Sequence, residues 1–326
     1  MKSIKALISL LIVVMLVFIA SGCGKEKASN ADKSTKTEET TSTIKITDDL
    51  DRTVEFAKDP EKIIPLSPTI LNVLYDVGGV ASARPNKSST PMPKKAEKLE
   101  EVGQHFNVNI EKLISLKPDL VIGQIGLHEK FIPILEENNI PVVIFDIETY
   151  EDSIDKIAKI SKIAGTEEKG TALIEKINKK IKAIKEELPN EKKRVAIVYV
   201  TSQDVTVELD KTVAGDAAKI LKFENVALST RTKDMVRSPF SMEELVKQDP
   251  DIIFVTSRSM AEGVKLKKNT ALLQNPAWAE LRAVKEGNVY DLPADLFVVC
   301  PATSINEPIE YMAKLAYPEV YGHVKN

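Results

Sequence analysis

The chain has 326 residues, with 45 Lys and Arg against 48 Asp and Glu and a formal net charge of −3. Its length suggests two domains, and its slight acidic balance argues against a nucleic-acid-binding protein. The hydrophobic fraction of 43% excludes wholesale disorder and a polytopic membrane protein, and two cysteines exclude a disulfide-rich scaffold. The composition therefore predicts a soluble body of two domains.

An export signal is predicted at the N-terminus. Two lysines precede an apolar run over residues 6–20, which is shorter than the roughly 20 apolar residues of a membrane span. The sequence Ala20-Ser21-Gly22-Cys23 resembles a bacterial lipobox, although Leu is usual where Ala20 stands. The resemblance implies a lipoprotein signal peptide over 1–22 and a diacylated Cys23. A plain cleaved signal and an uncleaved anchor are the alternatives.

Residues 23–43 are predicted to be the lipidated cysteine and a flexible tether. From Gly24 onward this segment has no large apolar side chain, so burial cannot offset the entropy of ordering it. The expected location is the extracytoplasmic face of a cell membrane, of the Gram-positive kind. Cys300 is then a lone thiol, which we expect to be a small buried hydrophobe.

Residues 44–165 are predicted to form an N-terminal α/β lobe. Alternating apolar and polar residues over 44–56 predict a hairpin. Beyond it, strand-like runs alternate with helical patterns, which indicates βαβ units and a mostly parallel sheet. The predicted strands are Lys62–Leu66, Leu120–Ile122 and Val142–Phe145, and the predicted helices are Ile70–Val77, Ile110–Leu116, Phe131–Glu137 and Tyr150–Ala164.

A long helix is predicted over 166–188, followed by a second α/β lobe over 189–326. The helix would span roughly 30 Å, and it is either a surface helix or a rigid strut between the lobes. The second lobe partly repeats the first, since Asp249-Pro250-Asp251 precedes a strand as Lys117-Pro118-Asp119 does. The predicted strands are Arg194–Tyr199, Val205–Glu208, Ile252–Thr256 and Val289–Leu292, and the helices lie near Ala214–Leu221, Ser241–Lys247, Pro276–Leu281 and Ile305–Ala316.

Four groups of short motifs together resemble a known family. They are 51–55 with 62–68, then 101–103 with 109–113 and 116–122, then 241–245 with 249–253, and finally 275–278 with 283–290. In this order they resemble the substrate-binding lipoproteins of ABC importers for iron–siderophores, haem and cobalamin. The resemblance covers the chain from about Ile44 to its end. It implies two three-layer α/β lobes with mostly parallel sheets, bridged by one long helix, with the ligand cleft between them.

The resemblance also implies docking residues. In the family, one glutamate at the top of each lobe pairs with arginines of the permease dimer, and Glu111 and Glu243 occupy the matching positions. Two exposed carboxylates at a fixed separation would set orientation and encounter rate. The alternative is that both are ordinary charged helix residues. The expected partners are an iron chelate, the permease dimer with its ATPase, and the membrane through the lipid anchor, with the protein a monomer that binds no nucleic acid.

Ligand contacts are expected from the loops that follow the carboxyl ends of the strands. Guanidinium groups suit anionic chelates because they stay charged and bind oxygen pairs, although ion pairs between loops are the alternative for each arginine. Aromatic side chains would supply an apolar wall. The candidate ligand-binding residues are Arg84, His105, Phe106, Gln124, Arg237, Phe240, Arg258 and Phe297.

His105 is the candidate for a metal ligand. It lies in the loop where haem-binding relatives carry an iron-ligating methionine, and Phe106 falls nearest to that position. Their second ligand, a histidine, corresponds to Arg258, so this chain departs from the usual pair. His105 is either one axial ligand, opposite Met92 or Met260, or a polar residue of the pocket.

A ferric siderophore is the favoured cargo, ahead of haem and then a corrinoid. A siderophore brings its own metal ligands, so no covalent cofactor is expected and iron enters only within the bound ligand. The competing class is a secreted metal-dependent hydrolase. Three scattered histidines and no nucleophile motif argue against that enzyme. Of those histidines, His128 and His323 are expected to face solvent.

Overall fold

A three-stranded parallel sheet forms the centre of the first lobe. The computed structural model describes residues 43–88, 90–201, 204–227, 235–257 and 270–324. The predicted signal peptide, Cys23 and Arg258 lie outside the described residues.

The strands of the first lobe are β1 (Thr43–Thr47), β2 (Thr53–Ala57), β3 (Ile63–Pro65), β4 (Ala83–Arg84), β5 (Glu100–Glu101), β6 (Gly103–Gln104), β7 (Asn107–Val108), β8 (Leu120–Gln124) and β9 (Val142–Phe145). Its helices are α1 (Pro68–Asp76), α2 (Ile110–Ser115), α3 (Ile132–Glu137) and α4 (Tyr150–Ile163), with short 3₁₀ turns at Lys94–Ala96 and Glu129–Phe131.

The pairing of these strands follows their sequence patterns. β3, β8 and β9 run parallel in the order β3-β8-β9, and their nearly continuous burial matches their apolar runs. β1 and β2 form the predicted hairpin, with Thr43 opposite Ala57 and Thr47 opposite Thr53. The short pairs β4–β5 and β6–β7 were not predicted, because two-residue strands leave no periodic pattern to read.

The second lobe contains a six-stranded mixed sheet. Its central strands are parallel, while β11 pairs antiparallel with both of its neighbours, and the order is β13-β11-β10-β14-β15 with β12 beside β10. Its strands are β10 (Arg194–Val200), β11 (Val205–Glu208), β12 (Glu224–Asn225), β13 (Arg237–Pro239), β14 (Ile252–Thr256) and β15 (Val289–Asp291). The remaining helices are α5 (Glu167–Glu186), α6 (Val213–Ile220), α7 (Met242–Gln248), α8 (Thr270–Gln274), α9 (Pro276–Glu280), α10 (Arg282–Lys285), α11 (Ala294–Phe297), α12 (Asn306–Ala316) and α13 (Pro318–Tyr321), with a 3₁₀ turn at Ala302–Ser304.

The two lobes are joined by α5, a helix of 20 residues. Ile177, Ile181 and Ile184 form its buried stripe, while most of its other side chains are exposed. Gly170 brings its first turns close to α4, since a Cβ there would lie 2.5 Å from the Cβ of Ser161. The absence of a side chain at this position therefore sets how closely α4 and α5 pack.

In both lobes, the aspartate of a Pro-Asp pair forms the same kind of hydrogen bond at the start of the neighbouring strand. In the first lobe, the Oδ2 of Asp119 accepts a hydrogen bond of 2.9 Å from the backbone N–H of Lys62, at the start of β3. In the second, the Oδ2 of Asp251 accepts one of 2.7 Å from the N–H of Arg194, at the start of β10. Each Pro-Asp pair thus joins its own strand to the neighbouring parallel strand, which explains the repeat seen in the sequence.

The lobes share a hydrophobic cluster, and each lobe also has a cluster of its own. A single cluster of buried side chains includes Ile46 and Leu71 in the first lobe, Ile177 in α5, and Phe254 and Met312 in the second. A polar contact crosses the same region, because the Oδ2 of Asp216 in α6 accepts a hydrogen bond of 2.7 Å from the N–H of Tyr150, at the start of α4. The last helices of the chain thus help to bury the first lobe.

Candidate ligand-binding cleft

A cavity of about 600 Å³ is lined by loops at the carboxyl ends of strands in the first lobe and by the α11 region of the second. This is the edge at which open α/β sheets bind their ligands. Its described lining is a mixture of hydroxyl, amide, aromatic and aliphatic groups. The lining includes Thr69, Thr90, His105, Phe106, Gln124, Glu148, Val299 and Cys300.

A tight hairpin places His105 and Phe106 in the cleft. β6 and β7 pair with Gln104 opposite Asn107, so these two residues form the whole loop between the strands. Gly103 has φ of +105°, and a Cβ there would lie 2.7 Å from the backbone oxygen of Asn107, so only glycine fits. Phe106 is 57% exposed at the tip, and its ring meets that of His105 edge to face. Gly103 thereby allows the tight hairpin that holds both residues at the cavity.

His128 joins this hairpin to the loop after β8. Its Nδ1 accepts a hydrogen bond of 2.9 Å from the N–H of Gln124, so its Nε2 carries the proton and donates one of 2.6 Å to the carbonyl oxygen of His105. The side chain is fully buried, and burial lowers its pKa below the usual 6.5. The expectation that His128 faces solvent was therefore wrong. Its ring is buried because it forms hydrogen bonds with two backbone groups of the cleft loops.

Glu148 lines the cavity from the loop between β9 and α4. Burial raises the pKa of its carboxyl group to about 7, and the negative charges of Asp146, Glu208 and Asp152 act in the same direction. The guanidinium of Arg237 opposes them. The cleft therefore contains a carboxyl group that exchanges its proton near neutral pH.

Arg84 lies in the interior of the first lobe rather than at the cavity. Its three guanidinium nitrogens donate hydrogen bonds of 3.0–3.1 Å to the backbone oxygens of Ala96, Pro85 and Glu97. Its Nη1 also lies 2.7 Å from a carboxylate oxygen of Glu101. This placement favours the ion-pair alternative, and contact of Arg84 with ligand stays an untested prediction.

Arg237 belongs to the sheet of the second lobe. Its Nη2 donates a hydrogen bond of 3.0 Å to the Oε1 of Glu208, and its guanidinium carbon lies 4.1 Å from the centre of the Tyr199 ring. It is not among the described residues that line the cavity, although its charge acts on Glu148.

The two other aromatic candidates pack mainly against protein. Phe240 lies half-buried beside a small apolar cavity of about 70 Å³ that Val207 and Leu245 also line. Phe297 is 2% exposed and meets the ring of Tyr311 edge to face, while its neighbour Val298 lines the cleft. Of the eight predicted ligand residues, the structure brings His105, Phe106 and Gln124 together at the cavity.

Three residues that line the cleft were not predicted individually from the sequence. Glu148 and the hydroxyl groups of Thr69 and Thr90 lie on loops that the strand pattern marks as cleft loops, but the residues themselves carry no distinguishing motif. Among the described residues, no three His, Cys, Asp or Glu side chains form a group that could hold a metal ion. Met92, one of the suggested partners of His105, packs against the shared core, and Met260 lies outside the described residues.

Glu111 and Glu243 occupy equivalent positions in the two lobes. Each is the second residue of its helix, α2 or α7, and each side chain is exposed. The preceding residues, Asn109 and Ser241, cap the two helices by accepting hydrogen bonds from the N–H groups of Lys112 and Glu244. The internal repeat thus presents one carboxylate at the start of the corresponding helix of each lobe.

Comparison with known proteins decides the family. The sequence model of periplasmic binding proteins matches residues 63–296, which include both sheets and the helix between them. The chain belongs to the periplasmic binding protein family. This periplasmic binding protein is 28% identical over 320 residues to the ABC transporter substrate-binding lipoprotein YvrC of Bacillus subtilis, with 96% of each chain covered.

Two further relatives illustrate the range of the family. The Fe(3+)-citrate-binding protein YfmC of Bacillus subtilis is 26% identical over 296 residues, which is 89% of this chain and 90% of YfmC. The structure of IsdE of Staphylococcus aureus complexed with haem superposes with a TM-score of 0.69 and 23% identity, covering 78% of this chain and 98% of IsdE. The family resemblance and the predicted two-lobed fold are therefore confirmed. Within the described part of the chain, no helix has the length and apolar character needed to cross a membrane.

Proposed function

We propose that this protein is the substrate-binding component of an ABC importer, which captures an iron complex in the cleft and delivers it to a permease. The observation that carries the proposal is the cavity of about 600 Å³ at the ligand-binding edge of a periplasmic binding protein. Relatives named for ABC-transporter substrate binding, Fe(3+)-citrate binding and haem uptake support the iron-complex class.

We infer that the protein is a carrier and not an enzyme. The described cleft lining contains Cys300, whose pKa is raised by burial, so the thiol is held in its weakly nucleophilic form. His105 is the histidine of that lining, and its ring meets Phe106. A stoichiometric complex that shows no turnover of chromogenic esters or phosphates is the expected behaviour.

A ferric siderophore is the proposed cargo because it brings its own metal ligands to a cleft of hydroxyl and amide groups. Haem is the second candidate, favoured by the position of His105 at the cavity. The test is isothermal titration of the full chain in detergent with ferric siderophores, haemin and cyanocobalamin, followed in parallel by absorbance. A Soret shift that His105→Ala removes would make haem the cargo, and silence from every probe would refute the proposal.

The membrane anchor and the permease contact are also proposals. Cys23 would hold the protein at the extracytoplasmic face, and Glu111 and Glu243 would dock on a permease dimer that works with its ATPase. Charge reversal of both glutamates should abolish uptake by cells while the affinity for ligand in solution stays unchanged, because both carboxylates are exposed at helix starts. Glu137→Lys, at another exposed helix position, is the matched control. Uptake that survives the double reversal would refute the docking role.

A further inference from the structure

The N-terminus of α1 opens into the cleft. Ser67, Pro68 and Thr69 line the cavity, and the helix of nine residues begins at Pro68. The backbone N–H groups of a first helical turn have no acceptor within the helix. Proline has no N–H, so Thr69 and Ile70 carry the donors of this turn, and neither N–H group has an acceptor among the described residues. The cavity therefore meets α1 at the end where the helix dipole is positive.

Ser67 occupies the N-cap position of α1 but does not cap the helix. A serine at this position ordinarily accepts a hydrogen bond from an N–H group of the first turn, whereas the Ser67 hydroxyl accepts none. The hydroxyl makes no other hydrogen bond in the part of the chain that the structure describes. Yet Ser67 is only 1% exposed, and it lines the cleft. Since buried polar groups in folded proteins almost always have a partner, a polar group within the cleft is the expected partner of this hydroxyl.

α4 also begins beside the cavity, but side chains of the protein satisfy its N-terminus. Glu148, just before this helix, lines the cleft. The Oγ1 of Thr149 accepts a hydrogen bond of 3.2 Å from the N–H of Asp152, and the Oδ2 of Asp216 accepts one of 2.7 Å from the N–H of Tyr150. The starts of α1 and α4 therefore differ, because protein oxygens use the donors of α4 and leave those of α1 available to a ligand.

Gln124 brings a further donor to the same edge of the sheet. Pro65 in β3 pairs with Ile122 in the parallel strand β8, so Ser67 and Gln124 each lie two residues beyond a paired position. Gln124 also lines the cleft and is partly exposed. Its side-chain amide, the Ser67 hydroxyl and the N–H groups at the start of α1 are all hydrogen-bond donors. The carboxyl ends of β3 and β8 thus hold a set of donors that suits a pair of anionic oxygens.

We propose that the N-terminus of α1 binds a carboxylate of the cargo, which accepts hydrogen bonds from the Ser67 hydroxyl and from the N–H groups of Thr69 and Ile70. The inference rests on the proposed function and adds the chemistry of the cargo, which is an iron complex with a free carboxylate. A carboxylate siderophore and the propionates of haem are the two sources of that group. Glu148 lines the same cavity, but burial raises its pKa to about 7, so its carboxyl group can take up a proton when an anion binds.

The test compares two pairs of probes, and the members of each pair differ in their carboxylates. Ferric aerobactin and ferric arthrobactin hold iron in the same shell of hydroxamate and citrate groups, but arthrobactin lacks the carboxylates on the side arms. Haemin and its dimethyl ester share the iron porphyrin, but the ester masks the propionates. Ferrioxamine B and cyanocobalamin serve as probes without a free carboxylate. Isothermal titration is run on the full chain in detergent.

Two substitutions at Ser67 separate binding from folding. Ser67→Ala removes the hydroxyl without breaking a hydrogen bond of the free protein. Ser67→Asp places a carboxylate at the N-cap, where it can accept from the N–H groups of the first turn and so occupy the site itself. The control is Ser241→Asp, which adds the same charge at the exposed N-cap of α7. The urea midpoint of Ser67→Asp should equal or exceed that of the wild type.

We expect the wild type to bind the carboxylate member of one pair about tenfold more tightly than the other member, since charge-assisted hydrogen bonds are about twice as strong as neutral ones. Ser67→Ala should lower that preference about threefold, because the backbone donors remain. Ser67→Asp should abolish the preference, and Ser241→Asp should leave it in place. A preference within the first pair identifies a carboxylate siderophore as the source, and one within the second pair identifies the haem propionates.

Equal affinities within both pairs, or binding confined to ferrioxamine B or cyanocobalamin, would overturn the inference but not the importer role. A preference that survives Ser67→Asp would overturn it as well. Should Ser67→Asp fail to fold, an unchanged preference in Ser67→Ala would overturn it in the same way. Silence from every probe would overturn the importer role itself.

Discussion

Replacement of His128 by Phe should weaken both the fold and the cleft. Phenylalanine keeps a planar ring of similar size, and it preserves the stacking on Phe131, whose ring centre lies 6.3 Å away. It removes both ring nitrogens, so the N–H of Gln124 and the carbonyl of His105 lose their partners beneath a side chain that is fully buried.

The magnitude follows from those two backbone groups. An unsatisfied buried donor or acceptor costs about 1–3 kcal/mol, so the variant should lose about 2–6 kcal/mol of unfolding free energy. His323→Phe is the matched control because its side chain is exposed, and surface changes of this kind stay within about 0.5 kcal/mol. Urea unfolding followed by circular dichroism measures both variants, and an unchanged m-value shows that stability alone has changed.

The pH dependence gives a second signature of the same side chain. Burial lowers the pKa of His128 in the folded state, so the unfolded chain binds the proton more tightly. The stability that this histidine contributes is therefore complete above its ordinary pKa of 6.5 and is lost as the pH falls below that value toward the lowered pKa. His128→Phe should lack this part of the acid destabilisation, whereas His323→Phe should retain it. Equal unfolding free energies of the two variants at pH 7.5, with parallel pH profiles, would refute the role assigned to His128.

Two other substitutions test the framework around the cleft. Gly170→Ala should lose about 1–3 kcal/mol of unfolding free energy, because the new methyl group would press on Ser161 and overpack the contact between α4 and α5; unchanged urea unfolding would contradict this. Asp48→Asn should lose about 3 kcal/mol, because Asp48 is 3% exposed and its Oδ2 lies 2.6 Å from the Nη2 of Arg52. Asp51→Asn, in the exposed turn of the same hairpin, is the control, and similar midpoints for the two variants would count against the buried pair.

The elements of the fold could be predicted because their patterns are local. The helix predicted near Ser241–Lys247 is α7, and the strand predicted over Ile252–Thr256 has those bounds as β14. An apolar run after a Pro-Asp turn predicts a strand, because a buried parallel strand needs such a run. Short pairs such as β6–β7 depend on contacts with the rest of the lobe and could not be anticipated.

The candidate site was predicted to the level of loops and less well to the level of side chains. The position of a residue in a loop does not predict where a long side chain ends. Arg84 lies in the interior because its nitrogens donate hydrogen bonds to three backbone carbonyl oxygens. His128 is likewise buried where its ring forms hydrogen bonds with backbone groups that lie apart in the sequence. These hydrogen bonds form only when the loops have taken their final positions, so no periodic pattern in the sequence predicts them.

The core shared by both lobes constrains the order in which the protein can fold. Side chains near the end of the chain, such as Met312 and Tyr317, belong to the same cluster as Ile46 and Leu71. As the chain is synthesised, the first lobe can bury its own cluster around Ile64 and Leu113, but the shared cluster closes only when the last helices are in place. Until then its apolar surface stays open to chaperones and proteases. Because this shared cluster spans both lobes, unfolding of one lobe exposes part of the core of the other, so the two should melt in a single cooperative transition.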